Sequence, residues 1–212
     1  MTKLAVFDFD STLLNGESIN LVLEQILADP IEKQKLESIQ KQGMLGDLAL
    51  QTSLEQRIIF FKNLRLNTLN QICQTLPWTT GAKETITTLK DKGYLTVCLS
   101  GGFRTATRRV ITELGVDAYC CNTLEVNNDK LTGKISGSLR HHDSKGILLQ
   151  KIQQALSVTP QDTVVVGDGA NDLSMFSYAN TSIAFCAQDA LKQQASHVVN
   201  SKDLSKILRC ID

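Results

Sequence analysis

Four stretches of this 212-residue chain are apolar at most positions and too short to be ordinary helices: 4–9 (LAVFDF), 94–100 (YLTVCLS), 163–168 (TVVVGD) and 181–185 (TSIAF). A strand with one wet face alternates apolar and polar residues, whereas a strand apolar throughout is covered on both faces. Helical stretches at 82–92, 103–114, 145–156, 171–179, 188–195 and 203–210 separate these runs, and 197–200 (HVVN) reads as a short fifth strand. Strands that alternate with helices through right-handed crossovers predict an α/β fold built on a doubly wound, Rossmann-like parallel sheet.

Two stretches break the alternation. Residues 15–76 hold no convincing strand and read as three or four helices, with breaks near Asp29-Pro30, Gly43, Gly46 and Asn67. A helical block inserted after the first strand predicts a cap domain at 15–76, over a core made of 1–14 and 77–212. Residues 121–139 alternate about Asn127-Asn128-Asp129, which predicts a β-hairpin flap.

Lys plus Arg and Asp plus Glu both total 22, which argues against nucleic acid or a membrane surface as a partner of the whole chain. No apolar run is long enough for a membrane helix, and the N-terminus enters a strand with no room for a secretory leader. The expected location is the cytoplasm, as a monomer or a homodimer. The six cysteines show no CxxC pair and lie mostly in apolar runs, so they read as reduced, buried thiols. The three histidines, His141-His142 among them, lack metal-ligand spacing and read as surface residues.

In open α/β sheets ligands sit beyond the carboxyl ends of the strands. The residues just past each strand end here are small, polar or acidic: Asp8, Asp10, Ser11 and Thr12; then Ser100-Gly101-Gly102; then Gly167-Asp168-Gly169-Ala170-Asn171-Asp172. Lys145 opens the helix at 145–156. Four acids (Asp8, Asp10, Asp168 and Asp172) in one pocket cannot all stay ionised without a counter-ion, and a hard cation such as Mg2+ resolves this. GDGAND is not a dinucleotide fingerprint, because Asp172 stands at the third glycine position and Asp168 would face the pyrophosphate. Ser100, the N–H groups of Gly101 and Gly102 at the start of helix 103–114, and Lys145 suit a phosphoryl group. Asp8 can attack phosphorus, and Asp10, two residues on, can protonate the leaving oxygen and then deprotonate a water.

These segments resemble the haloacid dehalogenase (HAD) superfamily. DFDST matches its first motif, LSGG the second, Lys145 the third and GDGAND the fourth. Within it the chain resembles the phosphoserine phosphatase family, through FDFDSTLLNGESI, SLEQRI, LSGGF, the KLTG hairpin, VGDGANDLSMF and IAFCA, in that order. The resemblance implies hydrolysis of O-phosphoserine through an aspartyl-phosphate, with Mg2+ held by the Asp8 carboxylate, the Asp10 main-chain carbonyl and the Asp168 carboxylate. Asp172 would support the metal, and Ser100, Gly101 and Lys145 would hold the phosphoryl group, with Asn171 beside it. On residues alone Glu17 reads as a first-turn helix acid and Arg57 as a helix surface charge. The resemblance implies that they read the amino-acid part of the substrate. Met44 matches the family's cap, whereas Leu50 stands where members often carry Phe, seven residues before the arginine. Two other readings remain: transfer of the phosphoryl group to another alcohol such as homoserine, and a non-enzymatic receiver module that stores a phospho-aspartate.

Overall fold

A computed structural model describes residues 2–45 and 49–211. Its seven-stranded sheet has the order β4-β3-β2-β1-β5-β6-β7, with β1 (Lys3–Phe7), β2 (Tyr94–Phe103), β3 (Ala118–Asn127), β4 (Lys130–Ser136), β5 (Thr163–Gly167), β6 (Thr181–Phe185) and β7 (His197–Val199). All neighbours run parallel except β3 and β4. From β1 the chain builds outward to β2 and β3, then returns to lay β5, β6 and β7 on the other side. The order therefore reverses between β1 and β5, and the crevice beyond their carboxyl ends is where such a sheet binds ligands.

The apolar runs are explained by burial on both faces. Ala5 and Phe7 join one hydrophobic cluster and Leu4 and Val6 the other, and all four are fully buried. On the Leu4 side the sheet packs against α7 (Ser144–Leu156) and α8 (Leu173–Phe176) through Leu149 and Met175. On the Phe7 side it meets α5 (Ala82–Asp91) and the turn Leu204–Cys210.

Between β1 and β2 stand α1 (Ser18–Ile26), α2 (Pro30–Leu45), α3 (Leu50–Ile58) and α4 (Leu66–Gln74), the helical block expected there. Their apolar faces join the Phe7 cluster, and Phe61 meets Phe103 of β2 edge-on with ring centroids 5.7 Å apart. Asn128 and Asp129 form the hairpin turn between β3 and β4 with φ of 48° and 61°, as a two-residue primed turn requires. The hairpin is sewn to the helical block: Asn63 N–H donates to Leu131 O, Leu131 N–H to Leu64 O and Leu66 N–H to Asp129 O, each at 2.9 Å.

Several expectations are corrected. β3 begins at Ala118, and its first half is a sheet strand paired with β2 that the hairpin reading passed over. Helix 103–114 is a single turn, α6 (Arg104–Thr107), followed by a wider turn at Val110–Leu114. Ser100-Gly101-Gly102 therefore belongs to the end of β2 and not to a helix start. Helix 171–179 shrinks to α8, 188–195 to α9 (Asp189–Lys192), and 203–210 is wound as a 3-10 helix. β1 ends at Phe7, because Asp8 already caps the next turn. Asn67 lies inside α4, and the break before that helix sits around Asn63, whose φ is +69°. Gly43 is within α2, and Gly46 lies outside the described residues.

Candidate active site

The nucleophile candidate is positioned by the sheet itself. Phe7 pairs with Val166 across β1 and β5, and Asp8 N–H donates to Val166 O at 2.9 Å. The backbone then turns sharply: Leu14 N–H closes on Phe9 O at 2.8 Å, and Ser11 takes φ +55°, a conformation costly for a non-glycine residue. Asp8 Oδ1 accepts from Phe9 N–H (2.7 Å) and from Lys145 Nζ (2.5 Å).

Lys145, in the first turn of α7, is 2% exposed and lies between two carboxylates, donating also to Asp172 Oδ1 at 2.7 Å. Asp172 Oδ2 accepts the N–H groups of Asp168 (3.0 Å) and Gly169 (3.1 Å), so it ties the loop after β5 in place. A Cβ at Gly167 would lie 2.4 Å from that oxygen, which explains the glycine. Carboxylate oxygens of Asp8, Asp168 and Asp172 lie within 4.8 Å of one another. An all-oxygen set of this kind fits a hard divalent cation. Asp172 already serves Lys145 and two N–H groups, which favours a supporting place for it.

Asp10 Oδ1 accepts Ser18 N–H at 2.6 Å. A Cβ on Gly102 would sit 3.0 Å from both Asp10 Oδ2 and Ser100 Oγ, so the two loops approach closely there. Ser100 is fully buried and its hydroxyl accepts Gly102 N–H at 2.9 Å, so this N–H is spent inside the loop. Asn122 was missed by sequence reasoning. It is fully buried and donates to Gly101 O (2.8 Å) and Leu139 O (2.9 Å), anchoring the end of β2. A lone Asn in a β-run carries no signal of that task.

A cleft of about 300 Å³ opens over these groups. Asp8, Asp10, Lys145, Asp168 and Asn171 line its floor, with Gly101 and Gly102 beside them. Ser100 and Asp172 lie beneath the lining. The helical block adds Glu17, Ile19, Leu50, Leu54 and Arg57 to the lining. Arg57 Nη1 stands 3.7 Å from Glu17 Oε2, and Ser11 Oγ donates to Glu17 Oε1 at 3.3 Å. His141 and His142 are exposed, as expected, yet both edge the cleft. The side chain of Met44 lies outside the described residues. All six cysteines are free, but only Cys73 and Cys98 are buried as expected; Cys120, Cys121 and Cys210 are half-buried and Cys186 is exposed.

Crowded acids show the electrostatic cost of the arrangement. Burial, then the Asp172 charge, pushes Asp8 up to about 7 against the pull of Lys145. Burial and the Glu17 charge raise Asp10 to about 6. Burial and Asp8 hold Asp168 well above the usual carboxylate range, and burial likewise raises Glu17. Burial works against the Lys145 ammonium, but the charges of Asp172 and Asp8 outweigh it and raise its pKa.

These shifts make stability depend on pH. A carboxyl whose folded pKa is raised keeps a proton that the unfolded chain has lost, so stability declines as pH rises through that window. For Asp8 the window runs from 3.8 to about 7 and for Asp10 from 3.8 to about 6. Lys145 stays charged across it. In chelator the melting temperature should fall from pH 5 to pH 8, and a hard divalent cation should raise it more at pH 8 than at pH 5. A flat profile in chelator would count against the carboxylate cluster.

The chain matches the haloacid dehalogenase-like hydrolase family over residues 5–177 and belongs to it. A phosphoserine phosphatase of Wolinella succinogenes is 40% identical over 206 residues, covering 97% of this chain and 98% of that one. One of Methanocaldococcus jannaschii is 39% identical over 209 residues, covering 99% and 97%. Among solved structures, a phospho-aspartyl intermediate analogue of phosphoserine phosphatase superposes with a TM-score of 0.92 at 38% identity, covering 100% of this chain and 99% of that one. A substrate-bound phosphoserine phosphatase complex gives 0.92 at 37% identity, with the same coverage.

Proposed function

We propose that this chain is a Mg2+-dependent phosphoserine phosphatase that hydrolyses O-phospho-L-serine to L-serine and phosphate, the last step of serine biosynthesis, in the cytoplasm. Full-length relatives of that activity support the reading. The observation that carries it is the buried Lys145 between Asp8 and Asp172, at the switch point of the sheet and under a cleft walled by Glu17 and Arg57. Among the described residues no helix is long and apolar enough to cross a membrane. In this reading residues 15–76 are the cap and 1–14 with 77–212 the catalytic core.

Lys145 and Phe9 N–H both donate to Asp8 Oδ1, which leaves Oδ2 to attack. Oδ2 forms a bond to phosphorus while the bond from phosphorus to the serine oxygen breaks, and Asp10 gives its proton to that oxygen. With Asp10 now ionised, it takes a proton from water. The water oxygen bonds to phosphorus, the bond to Asp8 breaks, and phosphate leaves. Lys145 and the Ser100-Gly101 end of β2 hold the phosphoryl oxygens, with Asn171 beside them. A bound Mg2+, held by Asp8, Asp168 and the Asp10 carbonyl, supplies charge neutralisation for those oxygens. Glu17 suits the substrate's ammonium and Arg57 its carboxylate, replacing the 3.7 Å pair they form with each other. Leu50 and Leu54 cover the apolar part of the serine.

A panel of phosphomonoesters tests this. With Mg2+, phosphate release from O-phospho-L-serine should far exceed release from sugar phosphates and nucleotides. Equal cleavage of the panel would defeat the specificity. Homoserine added as acceptor should stay unphosphorylated, and phosphohomoserine in the product would make the chain a phosphotransferase instead.

A further inference from the structure

A second polar cluster lies away from the catalytic acids, where the chain returns from the helical block to the core. Arg109, on the turn after α6, is 8% exposed. Its Nε and Nη2 donate to the two oxygens of Glu113 at 2.7 and 2.8 Å. Its Nη1 donates to Cys73 O (2.6 Å), in the last turn of α4, and to Leu76 O (3.0 Å), just past the end of that helix. The positive charge also faces the negative end of that helix. The guanidinium lies 4.6 Å over the Trp78 ring, and Trp78 Nε1–H donates to Glu113 Oε2 at 2.8 Å. Trp78 in turn meets Phe9, the residue between Asp8 and Asp10, edge-on at 6.2 Å.

The outgoing and returning crossings run side by side at this point. Asn15 N–H donates to Pro77 O and Thr79 N–H to Leu13 O, each at 2.9 Å. Arg109 thus uses donors on all three guanidinium nitrogens to join α4, the return crossing and a helical turn of the core. α4 packs against α1, whose first turn follows directly on Glu17. A lysine could supply the charge but not the planar fork that serves a carboxylate and two carbonyls together.

We propose that Arg109 is a positioning residue for the substrate's amino-acid end. It seats the helical block on the core so that Glu17 and Arg57 stand in register with the groups that hold the phosphoryl moiety. The proposal rests on Glu17 and Arg57 reading the ammonium and carboxylate of phosphoserine. It separates recognition of the amino acid, which depends on the seating, from attack on phosphorus, which depends on the sheet.

The experiment compares O-phospho-L-serine with p-nitrophenyl phosphate, which has neither ammonium nor carboxylate, on the wild-type protein and on Arg109→Lys and Glu113→Gln. Melting curves confirm that each variant is folded at the assay temperature. Arg109→Lys should lose about tenfold in kcat/KM for phosphoserine, chiefly through KM, within the range a small misplacement causes. Its kcat/KM for the aryl ester should stay within about twofold of wild type, because that substrate makes no use of the seating. Glu113→Gln should shift the same ratio in the same direction by less. Equal losses on both substrates, or none on phosphoserine, overturn the positioning role in an enzyme that does cleave phosphoserine. A wild-type protein that cleaves the aryl ester but ignores phosphoserine overturns the substrate reading, and this inference with it.

Discussion

Asp8→Asn should abolish phosphate release while the protein keeps its fold. The expected fall in kcat is about 10⁴- to 10⁶-fold, the scale seen when a residue that acts within a catalytic unit is removed. The amide nitrogen cannot attack phosphorus as a carboxylate oxygen does. The fold should survive because Asn is nearly isosteric and can still accept from Phe9 N–H and Lys145, which hold Asp8 Oδ1 at 2.7 and 2.5 Å. Burial already penalises the Asp8 charge, so a neutral group there should not lower the melting temperature at pH 8 in chelator. Phosphate-release kinetics and a thermal melt on the same sample check both halves. Retained turnover would remove Asp8 from the nucleophile's place.

Lys145→Met should damage stability as well as activity. The ammonium separates Asp8 from Asp172, whose side chains are 5% and 0% exposed. Taking it away leaves two buried carboxylates facing each other, and removal of one partner from a buried pair costs about 3–5 kcal/mol. Urea unfolding at neutral pH in chelator should show a loss of that order. Lowering the pH should shrink it, because protonating the acids removes their repulsion. Turnover should fall by at least about 10²-fold, since a positioned charge at the reacting oxygens is lost. An unchanged unfolding midpoint would mean that the acids find another partner.

The centre of the sheet was legible because its strands are apolar on both faces. Thr181–Phe185 was read to the residue and Thr163–Gly167 to within one. The acids were legible for a related reason: a carboxylate at the end of a buried strand is costly unless it is used, and here two such strands end that way, at Asp8 and Asp168. β3 was harder to see. Its first residues, Ala118 to Cys121, are exposed or half-buried, and Asp117 and Asn122 cut their apolar run to four. The short helices failed for a different reason. α6, α8 and α9 each have four residues, too few for a helical period to appear. The Arg109 cluster was invisible because its partners Cys73, Leu76 and Trp78 lie in another segment of the chain, and spacing carries no trace of such contacts.

The strand that carries Asp8 also has a history in time. Leu4 pairs with Leu95 on one side and Thr163 on the other. Within the sheet this strand is made before any other, yet its second neighbour, β5, is the fifth in order, made after β2, β3 and β4. Until then an apolar segment ending in Asp8 has an open edge, and the contacts that bury it are among the most distant in sequence that the fold contains. Such non-local pairing slows folding and lengthens the exposure of apolar surface. Placing the nucleophile at the middle of the sheet gives it walls on both sides in the finished protein, and makes the reactive centre a late product of its synthesis.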